Sequence, residues 1–193
     1  MARKPARFFL TADNPAVDFA NTIVHPGGDA TGAIRTWADV MAFLKTAGKA
    51  DVPATARNAP DRAVAFRLAR KLRDDLRDIL AALVAGREIP PEAVESTNRV
   101  LALRAGYPML VPGRKGWELA YVRRSESAAA ALLPIAEAAA AIVTSGVKAG
   151  MRKCANPACV LFFQDRTGRR RWCSMAVCGN RAKVAAFARR RKR

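Results

Sequence analysis

Four cysteines, the only ones in this chain of 193 residues, fall inside one 25-residue window as Cys154-x4-Cys159-x13-Cys173-x4-Cys178. Two close pairs joined by a short insert suit a tetrahedral zinc ion. Each pair offers two thiolates from one tight turn, and the insert folds back to bring the pairs together. The rival reading is two disulfides, which belongs to an oxidising compartment. Near the start of the chain Phe8-Phe9-Leu10 runs straight into Thr11 and Asp13, so no apolar core of a secretory signal develops. The longest apolar stretch, 128–143, is interrupted by Pro134 and Glu137 and falls short of the ~18 uninterrupted residues of a membrane span. The expectation is therefore a cytoplasmic chain with a structural four-thiolate Zn2+ site, and no membrane partner.

Charge divides the chain at the same place. The formal net charge is +18, yet from Ser145 to Arg193 there are 14 Lys/Arg against one acid, Asp165. Repulsion at that density opposes folding unless a polyanion relieves it, and nucleic acid is the polyanion to expect. An acidic membrane surface fits less well, because the tail lacks the large apolar face that interfacial helices insert.

Ahead of the tail the patterning is mostly helical. Thr36 reads as an N-cap, with Trp37, Val40, Met41 and Leu44 at helical spacing and Gly48 as the stop. A longer helix spans about 61–85, with Val64, Leu68, Leu72, Leu76, Ile79, Leu80 and Leu83 on one stripe. Its other face interleaves Arg70, Lys71, Arg73 and Arg77 with Asp74, Asp75 and Asp78, a pattern that predicts a solvated, salt-bridged surface. A third helix is expected from Pro90-Pro91 to near Gly106, and the segments 107–111 and 117–122 flank Pro112 to Gly116 as a hairpin. A last helix of this region opens near Ser125 or Ser127. Nine of the 14 residues from Ala128 to Ala141 are alanine, which allows close packing, and Pro134 should kink that helix or divide it in two.

Thr144 to Gly150 carries two glycines and few apolar anchors, which places a boundary between a domain at 1–147 and another at 148–193. Some forty residues cannot stabilise a fold by apolar burial alone, so the second unit needs a metal staple. After the first cysteine pair the sequence predicts a strand at 160–164, a turn at Asp165–Gly168 and a helix from about Met175 that carries Cys178. Knuckle, hairpin and ligand-bearing helix make a treble-clef layout. The fold class expected is α+β, mainly α: a helical N-terminal domain with a small β-hairpin, plus a C-terminal treble-clef-like zinc finger.

Cys178-Gly179-Asn180-Arg181, preceded by the x4-spaced pair and by Trp172-Cys173, resembles the CGNR zinc finger, and Asn14 to Thr22 resembles the early motif of the ABATE domain. The resemblance implies a bacterial, stress-induced transcription regulator in which a DNA-binding finger follows a domain that senses a ligand.

On a helical wheel Val177, Val184, Ala185 and Ala188 form the stripe expected to face inward, with Arg181 in its middle. Arg181 is therefore expected to be structural, bonding carbonyls or Asp165, and Asn180 to satisfy backbone near the metal. Phe162, Phe163, Trp172 and Phe187 are expected to form the small core. The residues expected to meet phosphates are Arg166, Arg169, Arg170, Arg171, Lys183, Arg189, Arg190, Arg191, Lys192 and Arg193. Four thiolates saturate zinc, and no nucleophile triad assembles around the one histidine, His25, so no enzyme is expected. Asp18, Asn21 and His25 are candidates for a ligand pocket, although stabilising the local chain is the simpler role for them. DNA is the expected partner, at the nucleoid. An RNA- or ribosome-associated anchor and a small-molecule enzyme with a targeting finger are the alternatives.

Overall fold

The computed structural model describes residues 8–10, 12, 14–23, 33–49, 59–104, 106–113, 116–123, 127–146, 150–165 and 167–191. The elements are α1 (Pro15–Ala20), α2 (Trp37–Thr46), α3 (Ala59–Val84), α4 (Glu95–Leu101), the hairpin β1 (Gly106–Gly113) and β2 (Gly116–Arg123), α5 (Leu133–Ser145), the short pair β3 (Met151–Lys153) and β4 (Phe162–Gln164), and α6 (Asn180–Arg191). This is the mainly helical α+β architecture that the sequence predicts.

The helix α3 is the axis of the larger core. Ala65, Ala69, Leu72, Leu76, Ile79 and Leu80 are fully buried on it, while Val64 is 53% exposed, so the buried stripe begins one residue later than the wheel predicts. Around it pack α1, α2, α4 and the alanine-rich segment. That segment is divided as Pro134 requires, into a 3-10 turn at Ala128–Leu132 and then α5 with the proline in its first turn. The start of the turn is capped from α3: Asp61 accepts hydrogen bonds from the Ala128 N–H at 2.6 Å and the Ser127 hydroxyl at 3.3 Å. By length and composition, 128–145 could cross a membrane, but Leu132, Leu133, Ile135, Ala136 and Ala139 are buried in this core.

Two local signals worked as physics dictates. Thr36 and Asp39 form a reciprocal capping box at the start of α2. Asn14 caps α1, accepting from the N–H groups of Ala16 and Val17. The third helix is shorter than expected, a 3-10 turn at Pro91–Val94 followed by α4, and Gly106 opens β1 instead of closing a helix.

The charged face of α3 is not uniformly solvated. Asp75 is buried and paired with Lys71 one turn earlier, and Arg77 leaves the solvent face to reach across to the C-terminal region. The pair β3–β4 rests on the helical body, with Met151 and Phe162 counted in the larger core. The change in composition near residue 147 therefore coincides with a change in chemistry, while packing continues across it.

Candidate metal centre and basic surface

The four cysteine sulfurs lie within 4.8 Å of one another and all four residues are buried. Cys159 and Cys173 are 3.8 Å apart, sulfur to sulfur. With zinc–sulfur bonds of ~2.3 Å a tetrahedral centre has sulfur–sulfur edges of ~3.8 Å, so the cluster fits the ion. The loops that build it are tied by backbone. Cys154 N–H donates to Leu161 O at 3.0 Å, Cys159 N–H to Asn156 O at 2.8 Å, and Ala155 N–H to Arg171 O at 2.9 Å, which holds the second cysteine loop against the first. Cys178 sits in a π-type turn, Met175–Gly179, immediately before α6.

Electrostatics gives a reason for a cation. Burial pushes the Cys159 thiol up to about 11 and the Cys173 thiol higher still, and neighbouring thiolates reinforce both shifts. Burial acts the same way on Cys154, but backbone N–H donors at Cys173 and Asn156 more than offset it, and its thiol lies below the ordinary value. Four buried sulfurs cannot all ionise together without a dication, and zinc supplies that charge. The side chain beside the sulfurs is Asn156, whose Nδ2 donates to Cys178 Sγ at 3.5 Å. Asn180 bonds Ala176 O at 3.4 Å instead.

The layer around the metal corrects several expectations. Phe163 is fully buried against the cysteines and Trp172 packs on them half-buried, but Phe187 is 58% exposed. Arg181 is exposed and does not fill the structural role expected of it. Arg170 fills it: its guanidinium donates to Cys173 O at 2.7 Å and Gln164 O at 3.3 Å and lies over the Phe163 ring at 4.7 Å. Asp165 is held by the Thr167 hydroxyl at 2.8 Å, the Arg170 N–H at 2.7 Å and the Arg152 guanidinium at 3.8 Å. Burial opposes its charge, yet the donors from Thr167 and Arg170, with Arg152 beside it, hold the carboxyl below its ordinary value.

The orientation of α6 is the reverse of the wheel reading. No residue of α6 is buried, Val184 is 68% exposed, and the partly shielded positions are Ala182 and Ala186. Alanines on both sides of the helix leave its apolar moment too weak to set direction. The metal at Cys178 sets it. Arg181, Lys183, Arg189, Arg190 and Arg191 are all exposed, with Arg191 over the Phe187 ring. Arg169 and Arg171 are exposed too, Arg171 lying over Trp172. Arg166, Lys192 and Arg193 lie outside the described residues. A shallow cleft of about 740 Å³ beside the metal loops is lined by Arg152, Lys153, Arg170 and Arg171 around the Thr167–Gly168 turn. Arg152 and Lys153 are absent from the set expected to meet phosphates, and the available signal for them is two cations directly before Cys154.

Asn21 and Asp18 both bond the chain itself. Asn21 Nδ2 donates to Phe162 O at 2.8 Å while its Oδ1 accepts the Phe162 N–H at 2.9 Å. The amide copies a peptide group and holds the edge of β4. Arg77 reinforces it, donating to Ala20 O at 3.4 Å and Val160 O at 3.2 Å with its guanidinium 5.2 Å from the Phe162 ring centre. Asp18 accepts from the Ala12 N–H at 3.1 Å. His25 lies outside the described residues.

A helical body joined to a treble-clef-like, four-thiolate module defines a zinc-finger protein. Residues 13–146 match the ABATE family, described as "putative stress-induced transcription regulator", and residues 151–191 match the CGNR zinc finger. The chain belongs to the ABATE family and carries a CGNR finger. Among curated proteins none matches it.

Proposed function

We propose that this protein is a cytoplasmic transcription regulator that binds duplex DNA through the finger, mainly at phosphates. The observation that carries the reading is the treatment of the finger's acid. Asp165, the one carboxylate from residue 145 onward, is 6% exposed and neutralised by its donors, so the finger shows solvent only positive side-chain charge. Arg152, Lys153 and Arg171 in the cleft, Arg169 next to Arg170 and Arg171 in sequence, and Lys183, Arg189, Arg190 and Arg191 on α6 are the phosphate contacts. Arg166, Lys192 and Arg193 extend the set in sequence. The outward stripe of α6, with Arg181 among Val184, Ala185 and Ala188, is narrow enough to approach the duplex closely.

Titrating zinc-loaded protein with labelled duplex at several salt concentrations tests this. Neutralising ~5–8 phosphates gives a log–log slope of about −0.9 per contact. Affinity independent of salt contradicts the reading, and tighter binding to structured RNA at every salt concentration transfers it to RNA.

The sensing half of the reading rests on α3 and α4, where Asp75 Oδ2, Ser96 Oγ and Thr97 Oγ1 are buried without a hydrogen-bond partner. Orphaned polar atoms in a core are costly, and a small polar ligand reaching them removes that cost. A thermal-shift screen with metabolites, repeated on Thr97→Val, tests whether any stabilisation acts through these atoms.

A further inference from the structure

Among the described residues, the hairpin β1–β2 contributes no side chain to either core, and neither strand packs appreciably on another element. Its register pairs Gly113 with Gly116, Pro112 with Trp117 and Leu110 with Leu119. Cross-strand partners share a face, so Pro108, Leu110, Pro112, Trp117 and Leu119 lie together, while Met109, Val111, Glu118 and Ala120 take the other side. The first face carries no charge among its described side chains. Trp117 is 74% exposed, Leu119 73% and Leu110 62%. A two-stranded hairpin alone is marginal in water, and a contiguous apolar patch of this kind on a soluble chain marks a contact surface.

We propose that this face packs against the same face of a second copy of the chain, giving a two-fold dimer in which two hairpins stack as a small two-layer sandwich. Area supports a second copy. Trp117, Leu119, Leu110 and the flanking prolines present roughly 500 Å², so self-contact buries about 1,000 Å² in total, the lower bound of a specific interface. Shape supports it as well, because a flat sheet face is complementary to its own two-fold mate and sheets stack in this way throughout β-sandwiches. The prolines at 108 and 112 lack N–H groups, which removes two donors from β1, weakens it as a template for an added strand and favours contact through the face. The described side chains of this face, Pro108, Leu110, Pro112, Trp117 and Leu119, carry no cation, so the polyanion that suits the finger does not suit them.

Sedimentation of the full, zinc-loaded, nucleic-acid-free chain from ~1 to ~100 µM tests the dimer. The expected result is a dimer that tightens as salt screens the +18 charge of each copy, the opposite of the salt response of DNA binding. Leu119→Lys and, separately, Trp117→Ala should each weaken it at least tenfold while keeping the wild-type zinc content and melting temperature, since neither residue belongs to a core. A monomer at every concentration overturns the proposal. So does a dimer indifferent to both substitutions, which is held elsewhere. A monomer that binds anionic vesicles and loses that binding in Trp117→Ala also overturns it, and assigns the face to lipid. None of these outcomes depends on whether the finger binds DNA.

Discussion

Helices α3 and α6 are both rich in arginine, and they are held by opposite means. Along α3 the cations alternate with Asp74, Asp75 and Asp78, and the opposite side is a continuous buried stripe. Along α6 there is no acid and no buried residue, and the anchor is Cys178 in the turn before it. The first is a helix stabilised by its own protein. The second is positioned by a metal and left exposed along its length. The same composition can thus build a core or an interface, and the acids and the buried stripe decide which.

Metal removal tests the contrast most severely. Stripping zinc, or replacing Cys173 with Ser, should melt the finger and abolish DNA binding while α1–α5 keep a cooperative transition, because structural zinc in small fingers supplies about 10–16 kcal/mol. Hydrogen exchange with metal analysis would check it; an α6 still protected in metal-free, reduced protein breaks the comparison.

Truncations to alanine on the two helices sharpen it. Leu76→Ala should cost about 2–5 kcal/mol by emptying core space. Val184→Ala should cost less than about 0.5 kcal/mol. Chemical denaturation of both variants gives the ratio, and comparable losses would mean that α6 has a buried face after all.

Between the two regions stands Asn21. Replacing it with Leu strands the buried N–H and C=O of Phe162 and should cost about 2–4 kcal/mol, with zinc still bound. A loss under about 0.5 kcal/mol would show that Arg77 and apolar contact hold the finger to the helical body without help from Asn21.

The smallest effect is on pH. Asp165 has a depressed carboxyl, so its stabilisation is present above the ordinary carboxylate value of 3.8 and is lost as pH falls below it. Protons also compete with zinc for the thiolates, and metal release should precede that loss on acidification. Asp165→Asn removes a contribution still present where zinc leaves and should move the midpoint of zinc release to higher pH; an unchanged midpoint would count against the assigned hydrogen bonds.

Much of this was legible in the sequence, because the signals were local. The cysteine spacing specified the metal, the capping residue Thr36 fixed the start of α2, and turn residues marked the hairpin. What could not be read depended on distant partners. Asn21 meets Phe162 across 141 residues, and no periodicity encodes that pairing. Asp75 looks in sequence like its exposed neighbours Asp74 and Asp78, and only the packing of other elements on α3 buries it. The direction of α6 is not legible because its alanines suit either side equally, and Arg170 fills the structural role expected of Arg181.

Phe8 packs edge-on against Phe43 in the helical body, with ring centres 5.5 Å apart, while its neighbour Phe9 rests on the cysteine cluster. Adjacent residues thus belong to two different interiors, and one peptide bond ties the first to the second. Trimming the chain before residue 10 would loosen both interiors in one cut, which makes the leading segment part of the joint and not an ornament on it.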